Sequence, residues 1–121
     1  MSRTKAPMIQ VKPVPEMGRG LFATRNIKKG TVIEKSPTIR LTPGDNSYIE
    51  NTVLQFYTYD SPNELSGDCF LALGFGALFN HSDEPNVAYR VRPDEQDVLF
   101  KAGRNIKKGE QLFIDYGWFR D

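Results

Sequence analysis

Residues 78–86 read Leu78-Phe79-Asn80-His81-Ser82-Asp83-Glu84-Pro85-Asn86 and hold the only histidine of a 121-residue chain. The segment leaves the apolar run 71–79 and enters a turn that ends at Pro85. A serine hydrolase would need His81 in relay with a serine and an acid. Ser82 is its immediate neighbour, their side chains diverge, and no G-x-S-x-G elbow occurs in the chain. A general base or a metal ligand needs convergent partners, whereas Asp83 and Glu84 are neighbours only along the sequence. Read from the residues alone, Asn80, His81 and Ser82 hydrogen-bond backbone groups and fix a tight loop beside a core element.

The rest of the composition narrows the class. A single cysteine, Cys69, excludes an intrachain disulfide and suits a reducing compartment. One cysteine and one histidine also fall short of the roughly four ligands that a closed zinc site takes, so no metal is expected. Lys and Arg number 16 against 15 Asp and Glu, interspersed along the chain, so the overall balance marks neither a nucleic-acid footprint nor a polybasic membrane patch. The N-terminus MSRTKAPMIQ lacks a signal-peptide core, and the run 71–79 is far short of a bilayer span. A chain of 13.8 kDa suffices for one domain with its own core, expected over residues 1–121, not secreted and without a membrane partner.

Eight prolines and ten glycines cut the sequence into short pieces rich in Val, Ile, Phe and Tyr, which predicts a mainly β fold. Strands are expected at 9–12, 21–24, 32–35, 38–41, 69–73, 87–91, 98–101 and 111–115. Val87, Tyr89 and Val91 alternate with Ala88, Arg90 and Arg92, and PDEQ turns that strand back into DVLFKA as a hairpin. Ile49, Val53, Phe56 and Tyr57 fall at helical spacing, predicting a short helix between Asn46 and Tyr59. The run DSPNELSGD, 60–68, reads as a loop.

Three further stretches stand out. Arg25-Asn26-Ile27-Lys28-Lys29-Gly30 returns letter for letter as Arg104-Asn105-Ile106-Lys107-Lys108-Gly109. The reading is structural: each isoleucine anchors its loop, the lysines are solvated, and each glycine supplies the conformation that opens a strand. Gly18-Arg19-Gly20 lets the backbone approach a ligand closely, but it lacks the third glycine and following helix of a dinucleotide fingerprint. The chain's end, Gly109 to Phe119, closes in Tyr116-Gly117-Trp118-Phe119, and aromatic side chains near a terminus often serve as core plugs.

In order and spacing, GRGLFATRNIKKGTVIE, GFGALFNHSDEPNVAY and GRNIKKGEQLFIDYG resemble the successive motifs of the SET-domain protein lysine methyltransferases. The resemblance spans about Val11 to Trp118 and is nearest to short stand-alone SET proteins of viral or bacterial type. It implies a β-clip fold of small sheets with a C-terminal pseudoknot, and S-adenosylmethionine as methyl donor, leaving S-adenosylhomocysteine. It implies that the backbone of Gly18, Arg19 and Gly20 faces the cofactor, that Asn80 meets it with its side chain, and that His81 meets it mainly with its backbone while the imidazole braces the knot.

By the same resemblance Tyr116 is the catalytic tyrosine, at once a cofactor-binding residue and the end of the lysine channel, and Tyr89, nine positions after Asn80, lines that channel and acts with it. Tyr57 is a further candidate for the channel wall, and Trp118 for stacking on the adenine or closing the channel. Flanking zinc segments before and after the SET core are not expected, so Trp118 and Phe119 serve as a minimal lid, or a second subunit of a homodimer supplies the missing wall, or the lid forms only with substrate present. The implied partner is a lysine-bearing protein, a histone tail or another basic protein, with no direct nucleic-acid contact. The implied location is the cytoplasm, or a host nucleus if the target is chromatin. The alternative is a non-catalytic SET-fold module that binds a peptide and transfers nothing.

Overall fold

The computed structural model describes residues 7–63 and 65–117. It is mainly β, with strands β1 Ile9–Val14, β2 Gly18–Ala23, β3 Val32–Leu41, β4 Thr58–Asp60, β5 Cys69–Ala72, β6 Asn80–His81, β7 Val87–Arg92, β8 Asp97–Ala102 and β9 Gln111–Ile114. One α-helix, α1 Pro43–Ile49, and short 3₁₀ turns at Val53–Tyr57 and Gly74–Ala77 complete it. The chain divides into two compact units. Met1–Ile33, Leu78–Ala88 and Lys101–Asp121 form the first, Glu34–Ala77 and Tyr89–Phe100 the second.

In the first unit the sheet order is β1-β2-β9-β6. β1 and β2 form a hairpin in register from Ile9↔Ala23 to Val14↔Gly18. Its turn needs left-handed backbone at Glu16 and Gly18, φ 68° and 80°, which glycine adopts at little cost. β9 pairs antiparallel with β2 and parallel with β6, so the last strand lies between the N-terminal hairpin and the Asn80-His81 segment. Leu21, Leu112 and Ile114 are wholly buried. Fully burying such an aliphatic side chain contributes about 1.5–3 kcal/mol, which fixes which face of β9 points inward.

Beyond the two residues of β6, Asn86 takes over the edge of β9. Its Nδ2 donates to Gln111 O at 2.8 Å, and its Oδ1 accepts from Phe113 N–H at 2.8 Å. The segment 80–86 thus encloses β9 with a strand pairing at one end and a buried carboxamide at the other, the arrangement that a C-terminal pseudoknot requires.

The duplicated loops do as expected. Ile27 and Ile106 are 3% and 2% exposed, and Gly30 and Gly109 take φ 88° and 91°.

In the second unit the order is β4-β5-β3-β8-β7. β3 is one continuous strand where two were expected, because Pro37 precedes the stretch paired with β5 and still offers its carbonyl to Leu73 N–H at 2.8 Å. β7 and β8 are neighbours, as the predicted hairpin requires.

The predicted helix between Asn46 and Tyr59 is corrected. α1 starts at Pro43 under a capping box, with Asp45 N–H donating to Thr42 Oγ1 and Thr42 N–H to Asp45 Oδ2. It ends at Ile49, the 3₁₀ turn follows, and neither buries a residue. Val53 and Phe56, two of the four residues at helical spacing, are 65% and 54% exposed.

Arg92 grips Asp97 with two hydrogen bonds, Nε to Oδ1 at 2.7 Å and Nη2 to Oδ2 at 2.6 Å. Those bonds hold the Asp97 carboxyl below its ordinary value of 3.8. A carboxyl more acidic when folded adds stability that is complete above that value and is lost as pH falls through the lowered one. Asp97→Asn should therefore lower the urea midpoint at neutral pH and flatten its fall in acid. Parallel acid limbs for the two proteins would refute the assignment.

Candidate functional site

The first unit gathers most of the expected site around the two ends of β9. At its start, Gly20 packs against Asn80 and Gln111 so closely that an added Cβ would lie 2.5 Å from Gln111 Oε1, 2.9 Å from Asn80 Nδ2 and 3.0 Å from Val14 Cγ2. This explains the second glycine of Gly18-Arg19-Gly20. Asn80 Nδ2 donates to Arg19 O and to Gln111 Oε1, both at 2.9 Å. Both amide hydrogens are thereby committed, and among the described residues nothing donates to Oδ1. The carboxamide is held rigidly with its acceptor spare, which fits a ligand that carries an amine or another donor.

At the other end of β9 the imidazole of His81 spans two partners. Nδ1 accepts from Tyr116 N–H at 2.9 Å, and Nε2 lies 2.9 Å from Asp83 Oδ1. An Nδ1 that accepts a backbone hydrogen carries none of its own, so in neutral His81 the proton sits on Nε2 and is donated to Asp83. The imidazole thus holds the backbone of Tyr116. Asp115 lies on the same side, Oδ1 3.8 Å from Nδ1, and accepts from Gly117 N–H at 2.8 Å. The sequence reading passed over Asp115 and Gln111, although both stand inside the quoted motif.

The Tyr116 ring is half-buried and tilted 48° against the His81 ring, centroids 5.2 Å apart. Its hydroxyl donates a short hydrogen bond to Phe79 O. The phenol hydrogen is thus engaged, and the oxygen's lone pairs define where an N–H or a polarised C–H could be received. Backbone and side chain of Tyr116 are both tied to the 79–81 segment, so the phenol is fixed before any ligand arrives. Trp118 and Phe119 lie outside the described residues.

Tyr89 and Tyr57 belong to the second unit. Tyr89 meets Tyr59 edge-on, centroids 5.1 Å apart, and Phe100 at 6.2 Å. Tyr59 in turn donates its hydroxyl to Gly76 O at 2.8 Å. Gly76 N–H reaches the wholly buried Ser36 Oγ at 2.9 Å, and Ser36 donates to Glu34 at 3.0 Å. Tyr59 orients the Tyr89 ring, a role the sequence reading missed because the residue sits between a misread helix and a loop. Tyr57 closes the 3₁₀ turn two residues earlier and is half-buried.

Among the described residues no three His, Cys, Asp or Glu side chains are grouped as a metal ion would require, and no helix is long and apolar enough to cross a membrane.

A SET-domain family model matches residues 18–117. The chain is 34% identical over 117 residues to the H3 lysine-37 specific histone-lysine N-methyltransferase of Schizosaccharomyces pombe, covering 93% of this chain and 78% of that protein. It is 35% identical over 105 residues to human histone-lysine N-methyltransferase 2D, but spans only 2% of that much longer protein.

Among solved structures, a Plasmodium falciparum protein described as a candidate histone methyltransferase superposes with TM-score 0.69 at 28% identity, over 95% of this chain and 99% of that one. A chain of an active polycomb repressive complex 2 superposes with TM-score 0.77 at 23% identity, over 93% of this chain and 15% of that one, and shares the fold. The chain belongs to the SET-domain family, and the relatives named here are histone-lysine methyltransferases.

Proposed function

We propose that the protein is an S-adenosylmethionine-dependent lysine N-methyltransferase acting on a basic protein such as a histone. One observation carries this reading: a tyrosine fixed at both backbone and hydroxyl to the segment that also presents the Asn80 carboxamide. The bound cofactor would supply an electrophilic methyl on a sulfonium. The Gly18–Gly20 backbone and Asn80 Oδ1 hold and orient it, with the main chain at His81 beside them. Tyr116 Oη accepts from the incoming amine and sets its approach. The family resemblance assigns Tyr89 and Tyr57 to the wall of the lysine channel, where they would limit hydration of the alkyl stem. Poor hydration favours the neutral amine, since a free lysine, pKa about 10.4, is protonated at neutral pH.

The second unit supports a basic substrate. Among its described residues stand eight Asp and Glu against four Lys and Arg, and no Lys or Arg occurs between Arg40 and Arg90. Homodimerisation is a further proposal, and sedimentation showing a monomer across a wide concentration range would remove it.

The test is transfer of labelled methyl to histones and to other basic proteins, with S-adenosylhomocysteine binding followed by calorimetry. Label on lysine establishes the enzyme. Cofactor binding without label on any substrate would instead favour a peptide-binding module. Gly20→Ala should weaken S-adenosylhomocysteine binding about tenfold or more, because the new methyl displaces the Asn80 carboxamide and one lost hydrogen bond is worth roughly that factor. Unchanged affinity would place the cofactor elsewhere.

A further inference from the structure

The even charge balance of the chain conceals a sorting that the fold imposes. In the first unit the described residues include nine Lys and Arg against five Asp and Glu, the reverse of the second. Seven of the nine cations lie in or beside the two copies of RNIKKG: Arg25, Lys28, Lys29, Lys101, Arg104, Lys107 and Lys108.

The copies are folded onto each other reciprocally. Ile27 and Ile106 form an antiparallel bridge and exchange both backbone hydrogen bonds at 2.8 Å. Asn105 Oδ1 accepts from Lys29 N–H, and Asn26 Oδ1 from Lys108 N–H, each at 2.9 Å. The reciprocal bonds relate the two backbones by a local twofold, and the settings of Lys28-Lys29 and Lys107-Lys108 differ chiefly in Glu110, which accepts from Lys107 N–H in the second copy only. All four lysines are exposed, and among the described residues none of them, nor Arg25, makes an ion pair. Arg104 is the exception, since it pairs with Glu110 at 2.9 Å where the first copy has Thr31.

Glu110, which accepts from Lys107 N–H, is the carboxylate set beside these four ammonium groups, and the mutual repulsion that remains is what a polyanion would relieve. The apolar side chains of both loops, Ile27 and Ile106, are buried, so the surface has nothing to insert into a bilayer. The asparagines consume the Lys29 and Lys108 backbone donors, which leaves point charges on flexible stems. Such groups suit phosphates at regular spacing and read no base sequence. Two lysine pairs set out by reciprocal loops suit a polyanion whose charges repeat regularly, as the phosphates of a duplex do, better than an irregular acidic peptide.

We propose that the paired loops 25–30 and 104–109 form a docking surface for the phosphate backbone of duplex nucleic acid. The proposal does not depend on the methyl-transfer reading.

Fluorescence anisotropy with a labelled 20-base-pair DNA duplex and the full chain tests it across a salt series. With four lysines engaged, the logarithm of the binding constant should fall against the logarithm of salt with a slope of about −3.6. Lys28→Ala with Lys107→Ala should reduce that slope by about 2 and weaken binding tenfold or more at moderate salt. Lys35→Ala with Arg90→Ala removes the same charge from exposed positions in the second unit and should change the slope by less than about 0.5. An equal loss in that control would mean diffuse attraction and overturn the proposal. So would absence of saturable binding at low salt, equal competition by polyglutamate, or binding to anionic vesicles in preference to the duplex. Matching urea midpoints establish that each variant is folded.

Discussion

Tyr116→Phe should lower methyl transfer to a lysine substrate by about a hundredfold or more while changing S-adenosylhomocysteine affinity less than about threefold. The substitution deletes one oxygen from a ring that is otherwise held in place. The backbone N–H of Tyr116 stays on His81 Nδ1 and the ring stays against the imidazole, so the fold around it has little reason to shift. Phe79 O loses a donor, for which a cost of about 1 kcal/mol of stability is expected. What disappears is the acceptor that sets the approach of the amine.

An error of about 1 Å in such a geometry is sufficient for a hundredfold loss, and no other described group replaces the phenol oxygen. The measurement is initial-rate transfer at saturating cofactor beside a calorimetric titration. Transfer that survives at more than a third of the parent rate would show that the hydroxyl is structural only. Loss of transfer together with cofactor affinity would instead make Tyr116 part of the binding pocket.

The features legible in the sequence were those with a local signature. Val87, Tyr89 and Val91 alternate over consecutive residues, and β7 appeared where the alternation stood. The glycines at 30 and 109 marked left-handed backbone because their loops are short and identical. Helical spacing of Ile49, Val53, Phe56 and Tyr57 misled, since the same spacing suits a segment that leaves those positions to solvent. The stronger signal lay upstream in the Thr42-Pro43-Gly44-Asp45 capping box.

Asn80, His81 and Tyr116 were singled out through motif resemblance alone, because the hydrogen bonds that place them, to Arg19, to Gln111 and between His81 and Tyr116, span from 31 to 61 residues of sequence. Charge sorting escaped notice for a related reason: two lysine-rich hexamers 79 residues apart become one surface only when Ile27 meets Ile106.

Asn86 is the clearest case of a residue whose weight is invisible before folding, and Asn86→Ala should destabilise the protein by about 3 kcal/mol. In the sequence it is only the last residue of the motif stretch, just past the turn that ends at Pro85. In the fold it is 2% exposed, and its carboxamide meets Gln111 O and Phe113 N–H as a residue of a neighbouring strand would. Its own carbonyl also accepts from Gly103 N–H at 2.9 Å, which fixes the backbone from which the side chain reaches. Truncation strands one acceptor and one donor of β9, each costing about 1–3 kcal/mol when buried without a partner.

Asn86→Asp sharpens the test. A carboxylate can still accept from Phe113 N–H, but it faces Gln111 O with a second oxygen and no hydrogen. Burial and that oxygen raise its pKa, so the variant should be least stable at neutral pH and recover as pH falls and the carboxyl gains a proton to donate. Urea denaturation of both variants from about pH 7 to pH 5 reads this directly. A loss below about 1 kcal/mol for Asn86→Ala, or no recovery for Asn86→Asp, would mean that β6 and β2 alone hold β9. The predicted losses would instead make one buried amide the fastening of the strand that delivers Tyr116.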